Sequence, residues 1–487
     1  MRDRRGWALA VPTPRRRPDL PTPSLLVPFE DALAGAGDLM RALAGRDRVR
    51  LAVTGLSRAG KTVFLTSLVA NLLAAGQGAR TLPALEAAAG GRLRRVRLVP
   101  AETQATPRFD ATGHLLALAA DPPRWPARTD DLSTLELALE LEPRTMLGQA
   151  RAAFAGPRRV TLELLDYPGE WLLDLPMLGQ SWPDWSRATL ARLRRGKRAE
   201  AAAGFLGFVD ALPAKAPAEE AIARQGFALY REALLTCRDR LGFRFLQPGR
   251  VLNPGPRGDA PLLWFFPLPH PEGGPLADLM ARRHAAYLED ARAGFFDPFF
   301  RRFHRQAVLV DALGALHAGE EAFDDTAEAL AAVSGSLRGG LGLLDLLTGQ
   351  GVRRVGFAAT KADHVPARAR ESLVGLLGDL VGRDPAGPLD AATSVHAIAA
   401  IRCTEDAVAT LEGRPFAAVR GVLLDGGRSA TVYAGEVPPR RPAPDFWEHA
   451  FFEMPVFQPP RLVGDGAAGI PHLGLDALLA ALIGDLL

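Results

Sequence analysis

Eight residues near the start of the chain have types and spacing suited to binding phosphate. The run Gly55-Leu56-Ser57-Arg58-Ala59-Gly60-Lys61-Thr62 fits the pattern G-x-x-x-x-G-K-[ST]. Its glycines let backbone N–H groups curl around phosphate, the lysine reaches the β- and γ-phosphates, and the final hydroxyl holds Mg²⁺. The residues that we assign to the nucleotide are Ser57, Arg58, Ala59, Gly60, Lys61, Thr62 and Val63, with Lys61 also catalytic and Thr62 also a metal ligand.

A second motif follows an apolar run at residues 160–166. The run ends in Asp166, and Gly169 follows three residues later. An aspartate at the end of a buried strand can serve the Mg²⁺ shell, and a glycine N–H at that spacing can reach the γ-phosphate. We therefore assign Asp166 to the metal and Gly169 to catalysis, and expect the segment beyond Gly169 to sense the γ-phosphate.

A third motif, Thr360-Lys361-Ala362-Asp363, closes another apolar run and fits the [NT]-K-x-D pattern of guanine-nucleotide binders. The Asp363 carboxylate can accept hydrogen bonds from guanine N1–H and the exocyclic amine, while the Lys361 stem lies along the base. The chain has four lysines among 58 Lys plus Arg, and Lys61 and Lys361 both lie in these motifs. The alternative is a capping aspartate beside a solvated lysine.

A strand, a glycine-bounded loop and a helix must position the phosphate loop. Residues 49–53 form an apolar run typical of a strand, and residues 62–75 have an apolar face at helical spacing. Further strands are predicted at residues 134–141, 160–166, 307–310, 355–360 and 394–398. Several of these runs are continuous, as in strands buried on both faces. We therefore predict an α/β P-loop fold with a doubly wound, mostly parallel sheet.

The connections between these strands are uneven, because a long, mostly helical stretch follows Asp166. We divide the chain into a disordered arm at 1–28, core with the phosphate loop at 29–75, an insertion at 76–130, core at 131–170, a helical insertion subdomain at 171–305, core at 306–412, and a C-terminal hairpin and helix at 413–487. Helices are predicted at 28–44, 217–241, 275–303 and 473–487, and strands at 416–424 and 429–433 form the hairpin. The proline- and arginine-rich arm is either solvated or in contact with an acidic partner or lipid heads.

Composition argues against several classes of protein. The net charge is +3 and the nine histidines are scattered, so neither a nucleic-acid surface nor a zinc site is indicated. Cys237 and Cys403 are too few for a disulfide framework and are predicted to be small buried hydrophobes in a reducing compartment. No apolar run approaches the roughly 18 residues of a membrane span, and no secretory signal is recognisable. We expect a soluble, cytoplasmic protein.

The order of these motifs resembles that of the translation-factor-like GTPases. The residues within and around the motifs are closer to those of the YcjX-like family of bacterial P-loop GTP-binding proteins. The resemblance extends from about residue 30 and rests on LAVTGLSR at 51–58, LDYPGEW at 165–171, DPFFRRF at 297–303, FAATKADH at 357–364 and GIPHLG at 469–474. It implies a Ras-like sheet with large helical insertions, binding of GTP or GDP with Mg²⁺, and a stress-linked cellular role. It supplies no known effector.

Two elements depart from a compact GTPase. No Ser-Ala-Lys closes the base pocket, so Ala400 and Ile401, just after the last predicted parallel strand, are our candidates. We assign the switch I threonine, a metal ligand, to Thr129, which precedes the strand at 134–141. The alternatives are Thr103, Thr106 and Thr145.

Glu170 stands where many GTPases have the glutamine that orients the attacking water, and we assign it to catalysis. Its carboxylate can accept a hydrogen bond from water, yet its charge repels the γ-phosphate unless Arg58 or an arginine from the insertion offsets it. Slow hydrolysis follows. Alternatively, Glu170 caps the first turn of a helix. Residues 171–178 are too apolar for free solvation, and we expect the insertion, rather than a partner, to cover them.

Together the motifs favour a slow GTPase that acts as a nucleotide-dependent switch on an unknown protein effector. The alternatives are an ATPase, a P-loop small-molecule kinase, and a nucleotide-stabilised scaffold with negligible hydrolysis. A kinase acceptor site has no need of the motif at 360–363, which argues against that class. Peripheral contact of the arm with a membrane stays open.

Overall fold

A computed structural model describes residues 46–56, 58–100, 106–127, 132–143, 157–255, 258–299, 303, 305–339, 354–382, 393–411, 413–433, 435–448, 455–462 and 466–487. Contacts between residues divide the chain into a unit Met1–Asp47 and a unit Arg48–Leu487. In the first unit only Arg46 and Asp47 are described. The predicted arm at 1–28 and the helix at 28–44 therefore lie outside the described residues.

A seven-stranded sheet forms the centre of the second unit, in the order β2-β3-β4-β1-β5-β6-β7. The strands are β1 Arg46–Gly55, β2 Leu93–Leu98, β3 Ser133–Leu141, β4 Arg158–Asp166, β5 Arg305–Val310, β6 Arg354–Ala359 and β7 Thr393–Ala397. Strand β5 pairs in parallel with β1 and β6, and β6 with β7, whereas β3 is antiparallel to β2 and β4. The loops that follow β1, β5 and β6 consequently open on one edge, where open α/β sheets bind their ligands.

A smaller sheet lies near the C-terminus of the described chain. It contains β8 Thr404–Leu411, β9 Arg414–Val422 and β10 Ser429–Val432, all antiparallel, in the order β10-β9-β8. Strands β9 and β10 are the two arms of the predicted hairpin. The hairpin prediction is confirmed.

Thirteen α-helices are described, and none of them is long and apolar enough to cross a membrane. They are α1 Lys61–Ala75, α2 Glu86–Ala89, α3 Ala111–Ala119, α4 Trp182–Leu193, α5 Gly196–Ala201, α6 Ala203–Asp210, α7 Glu220–Asp239, α8 Gly249–Leu252, α9 Pro275–Ala291, α10 Ala312–Ala318, α11 Glu320–Gly339, α12 Arg370–Leu380 and α13 Leu475–Ile483. A π-helical turn, Arg292–Phe296, continues α9. Shorter 3-10 helices include Gly169–Asp174, Pro176–Gly179 and Ala362–His364.

Each strand predicted from an apolar run is present, with ends that differ by a few residues. The predicted helices at 62–75, 217–241, 275–303 and 473–487 correspond to α1, α7, α9 and α13. The strands missed from the sequence are β2 and β8. Strand β2 has the burial pattern of an edge strand, and Arg94, Arg95 and Arg97 interrupt its apolar residues. That pattern hides the period-2 signal on which the strand prediction depends.

Buried apolar residues pack on both faces of the large sheet. On one face Val53 joins Leu68 of α1 and residues of α13, and on the other Val308 and Phe357 join residues of α10, α11 and α12. A third cluster lies between residues 177 and 322 and includes the fully buried Trp185. The helices of the predicted insertion thus have a core of their own. Contacts divide the second unit no further, so the domain boundaries drawn from the sequence stay predictions.

Candidate nucleotide-binding site

The predicted phosphate loop connects β1 to α1. Gly55 ends the strand, and a Cβ there would lie 2.7 Å from the Leu309 carbonyl oxygen and 2.9 Å from the Ala59 Cβ, so this position requires glycine. Gly60 has φ 81° and serves as N-cap of α1, whose first interior bond runs from the Phe64 N–H to the Gly60 oxygen at 2.9 Å. The loop therefore ends in the N-terminus of a fifteen-residue helix, a favourable site for an anion. Ser57 lies outside the described residues.

Lys61 and Thr62 begin that helix. The Lys61 ammonium donates to the Gly55 carbonyl at 3.4 Å, so it lies across the loop. No acidic residue occupies the first turn of α1, so no carboxylate of that turn repels a phosphate bound at the helix N-terminus. Thr62 is buried beside Lys61, as its predicted role at Mg²⁺ requires.

Asp166 ends β4, the strand next to β1. It is 2% exposed, and within the described part of the chain neither carboxylate oxygen has a hydrogen-bond partner. Burial raises its pKa to about 6, and the charge of Lys61 opposes that rise. Two buried carboxylate oxygens without a donor suit a cation.

The residues present fit Mg²⁺ rather than a metal held by protein alone. No group of three or more His, Cys, Asp or Glu side chains able to hold a metal occurs among the described residues. Mg²⁺ is usually bound by one or two protein oxygens together with substrate phosphates and water. Asp166 and the Thr62 hydroxyl supply that kind of ligand set. Thr129, the third predicted ligand, and its alternatives Thr103 and Thr145 lie outside the described residues.

Gly169 lies directly against the phosphate loop. A Cβ at this position would be 2.0 Å from the Gly55 carbonyl oxygen and 2.9 Å from the Leu56 nitrogen, so the chain admits only glycine there. Glu170, in the first turn of the following 3-10 helix, is 4% exposed, and its Oε1 has no hydrogen-bond partner within the described chain. This position is compatible with both roles predicted for Glu170, contact with the attacking water and capping of the first helical turn.

The helical insertion covers the segment that follows Gly169. Gln247 donates to the Leu173 carbonyl at 2.6 Å. Asp174 is fully buried and accepts hydrogen bonds from the Gly249 N–H at 2.7 Å and from the Tyr287 hydroxyl at 2.5 Å. The expectation that the insertion covers residues 171–178 is therefore confirmed.

The base-side motif follows β6. Lys361 has φ 61°, and Asp363 is 2% exposed. Asp363 Oδ2 accepts a hydrogen bond of 2.7 Å from the Cys403 N–H, which fixes the orientation of the carboxylate. The Lys361 ammonium pairs with Asp311, the residue after β5. Arg58 and Lys361 are the described non-glycine residues with left-handed φ, a strained conformation that clusters at functional sites.

A cavity of about 690 Å³ joins the phosphate side to the base side. Its lining includes the predicted residues Arg58, Ala59, Gly60, Val63, Lys361, Asp363, Ala400 and Ile401. The structure thus brings the candidate pocket-closing pair, Ala400 and Ile401, to the same cavity as Asp363. The predicted residues outside this lining, among those that the structure describes, are Lys61 and Thr62, which begin α1, Gly169, which lies against Gly55, and Asp166 and Glu170.

The C-terminal motif at 469–474 supports both sides of this cavity. Ile470 exchanges two hydrogen bonds of 3.1 Å with the Asn71 side chain in α1. The Arg402 N–H donates to the Pro471 carbonyl at 2.7 Å, beside the loop that carries Ala400 and Ile401. Gly469 has φ 73°, and a Cβ there would lie 2.5 Å from Asn71 Oδ1. The motif therefore acts as a brace between α1 and the base-side loop.

Asp311, Arg244 and Cys403 are among the cavity residues that were not assigned to the site from the sequence. Asp311 follows the apolar run 307–310, a signal that could have identified it. Arg244 belongs to the insertion, and no pattern in the sequence distinguishes it from the other arginines. Cys403 was predicted to be buried but is half-buried at the cavity, where its backbone N–H donates to Asp363. Cys237 is buried as predicted.

The mostly parallel sheet has a phosphate loop after its first strand, an Asp-x-x-Gly turn against that loop and a Thr-Lys-x-Asp turn at the same cavity. These features define a Ras-like P-loop α/β protein. The predicted fold class is confirmed. Residues 49–487 match the profile of the YcjX-like family, DUF463, and the chain belongs to that family.

Two relatives align with nearly the whole chain. The protein named Ras-like GTPase YcjX from Escherichia coli (strain K12) is 37% identical over 456 residues, which cover 91% of this chain and 96% of the relative. The protein of the same name from Shewanella oneidensis (strain MR-1) is 35% identical over 460 residues, 90% of this chain and 94% of the relative.

Proposed function

We propose that this protein binds GTP with Mg²⁺, hydrolyses it slowly to GDP, and changes conformation with the state of the nucleotide. Both relatives carry the name Ras-like GTPase. Residues of the phosphate loop and of the Thr-Lys-x-Asp turn line one cavity, and Gly169 of the third motif lies against the phosphate loop, which supports the proposal. The buried, oriented carboxylate of Asp363 supports guanine, because guanine offers two donors on one edge whereas adenine does not.

The observation that carries the switch proposal is the contact between Gly169 and Gly55. A turn so close to the phosphate loop would move if its N–H bound a γ-phosphate on that loop. The same 3-10 helix ends at Asp174, which holds the insertion through Gly249 and Tyr287. Displacement of the turn would therefore reach the insertion through short, buried hydrogen bonds.

Slow turnover fits the carboxylate at position 170. Glu170 adds negative charge where a GTPase glutamine would be neutral, and it does so at a buried site. We extend the proposal to a protein effector that reads the GTP-bound state, in a stress-linked cytoplasmic role. The family resemblance supports the stress-linked role, and the effector follows from the proposed switch. No nucleic-acid partner is proposed, and the basic arm is the segment that would touch a membrane surface.

Trp171 provides the test, since it follows Glu170 and its indole N–H donates to the Asn253 carbonyl at 3.0 Å. Tryptophan fluorescence should differ between the GDP complex and the complex with a non-hydrolysable GTP analogue, both with Mg²⁺. Trp171→Phe should remove the difference while the other six tryptophans stay. In parallel, single-turnover hydrolysis of GTP should proceed without any added protein.

Three results would redirect the proposal. Identical wild-type spectra with measurable hydrolysis would leave a GTPase without a switch. No hydrolysis, with or without cell extract, would favour the nucleotide-stabilised scaffold. Displacement of a fluorescent guanine nucleotide by ATP as effective as that by GTP would favour the ATPase.

A further inference from the structure

Arg244, in the helical insertion, lines the candidate nucleotide cavity. It lies in the segment after α7 and lines the cavity together with Arg58, Gly60, Asp311 and Lys361. The side chain is half-buried. Its Nη1 donates a hydrogen bond of 3.2 Å to the Phe243 carbonyl. With five N–H groups in a planar fork, an arginine so placed has donors left for a phosphate.

The backbone at Arg244 is fixed to the core of the protein. Asp325 of α11 is buried and accepts hydrogen bonds from the N–H groups of Arg244 and Phe245, the latter at 2.9 Å. The other carboxylate oxygen of Asp325 pairs with the buried Arg198 of the insertion. Arg198 also stacks over the Phe243 ring, 4.6 Å from its centre. Arg244 therefore projects from a segment that is held on both sides, as a positioned catalytic group requires.

The charges that face Arg244 belong to the nucleotide site. Burial lowers its pKa, Asp311 and Glu170 raise it, and Arg58 and Arg238 lower it. A guanidinium keeps its proton at neutral pH in any protein environment. The charged groups that influence Arg244 thus include Glu170, the residue after Gly169, and Arg58 of the phosphate loop, with which Arg244 shares the cavity lining.

We propose that Arg244 is a built-in arginine finger that contacts the β- and γ-phosphate oxygens of bound GTP and stabilises the charge of the transition state. The proposal rests on the proposed function and deepens it. Water attacks the γ-phosphorus, the bond from that phosphorus to the β–γ bridging oxygen breaks, and the electron pair remains on the β-phosphate of GDP. The water proton passes to the released inorganic phosphate. Arg244 donates hydrogen bonds throughout and transfers no proton.

This role also explains how a carboxylate is tolerated at position 170. The positive charge of Arg244, an arginine of the insertion, offsets the repulsion between Glu170 and the γ-phosphate. An arginine supplied within the same chain still gives modest turnover, on the order of 0.01 per second in the known case. Slow intrinsic hydrolysis and a finger in the same chain are therefore compatible.

The test compares single-turnover GTP hydrolysis by the full-length chain, with Mg²⁺ and no added protein, for the wild type, Arg244→Ala, Arg244→Lys and Arg224→Ala. Arg224 is an exposed arginine of α7 that stacks on Trp264 and controls for loss of one positive charge in the insertion. Arg244→Ala should slow hydrolysis at least about 100-fold, a cautious value below the range for arginine fingers, and Arg244→Lys nearly as much because lysine lacks the planar fork. Affinity for a fluorescent GTP analogue, which also reports folding, should change by less than about tenfold.

A second readout separates a contact in the transition state from a structural role. Aluminium fluoride with GDP imitates the γ-phosphoryl group in flight, and the wild type should bind the two together without a partner protein. Arg244→Ala should bind GDP but show no response to aluminium fluoride, whereas Arg224→Ala should respond as the wild type does.

Hydrolysis by Arg244→Ala at the wild-type rate would overturn the finger and leave the GTPase proposal standing. So would an aluminium fluoride response that survives in Arg244→Ala. A wild type that binds GTP but never hydrolyses it would instead remove the proposed GTPase activity, and with it any finger.

Discussion

At the scale of single residues, base choice depends on one carboxylate. Asp363 is buried, and the Cys403 N–H already engages Oδ2, so the carboxylate has little freedom to turn. Guanine presents N1–H and a 2-amino group, both donors, to such an acceptor. Xanthine has an oxygen in place of the amine, and that oxygen repels a carboxylate but accepts from an amide.

Asp363→Asn should therefore invert the preference between GTP and XTP. Loss of a buried paired contact costs about 1 to 3 kcal/mol, so GTP should bind roughly ten- to a hundredfold more weakly and XTP more tightly than GTP. Displacement of one fluorescent nucleotide by each triphosphate measures both affinities. A variant that keeps wild-type affinity for GTP and gains none for XTP would show that Asp363 does not read the base.

Asp166 gives a residue-scale prediction about pH. Burial raises the pKa of Asp166 to about 6 from an ordinary value near 3.8. Between about pH 4 and pH 6 the folded chain therefore keeps a proton on Asp166 that the unfolded chain has lost. The ionised carboxylate therefore lowers the free energy of unfolding. The full loss applies above about pH 6, and there is none below about pH 4, where the carboxyl group is protonated in both states. A shift of that size corresponds to about 3 kcal/mol at most.

Asp166→Asn should consequently raise the melting temperature of the nucleotide-free protein at pH 7.5, and the gain should shrink as the pH falls towards 5. The same variant should lose most of the further stabilisation that Mg²⁺ and GTP give the wild type. Asp174, whose pKa is also raised to about 6, is common to both proteins and cancels in the comparison. Asp425→Asn, in the exposed turn between β9 and β10, is the control. A destabilised Asp166→Asn apoprotein would contradict the assignment of a buried, unsatisfied carboxylate.

At the scale of elements, the turn after β4 is a part of the structure that could sense the γ-phosphate. Gly169→Ala places a methyl group 2.0 Å from the Gly55 oxygen, so the turn must withdraw from the phosphate loop. We expect the affinity for GDP to stay within about tenfold of the wild type, because a lost contact to the γ-phosphate weakens only the binding of the triphosphate. Hydrolysis should be at least about tenfold slower.

Gly179→Ala is the matched control for that variant. It lies in the next 3-10 helix, Pro176–Gly179, and a Cβ there meets nothing within 4 Å. Titration of GDP and GTP analogues together with single-turnover assays would show the difference. Equal loss of GDP and GTP affinity in Gly169→Ala would indicate damage to the loop itself rather than to γ-phosphate sensing.

The sequence was sufficient to predict the elements of the large sheet that bear motifs, because glycine spacing and buried apolar runs are local signals. The edge strand β2 was missed because its arginines break the alternation. Arg244 could not be identified, because its place at the cavity depends on Asp325, 81 residues later, and on the stacking of Arg198. Contacts between distant segments leave no mark in a single sequence.

At the scale of the whole molecule, the cavity has walls from two parts of the chain. The phosphate and base loops follow strands of the large sheet, and another part of the wall, which includes Arg244, comes from the segment after α7, next to a separate core. Two buried carboxylates, Asp174 and Asp325, tie this part of the wall to the rest of the protein. A nucleotide between the walls would therefore touch both parts at once.

The most direct test of a GTP-dependent switch is hydrogen–deuterium exchange of the full chain with Mg²⁺ and either GDP or a non-hydrolysable GTP analogue. Residues 169–178 and 243–253 should exchange more slowly in the GTP-analogue complex, because the γ-phosphate holds Gly169 inward and Asp174 carries that order to the insertion. Residues 404–432 of the small sheet should exchange equally in both. Equal exchange in the first two segments, with both nucleotides shown to be bound, would contradict the switch.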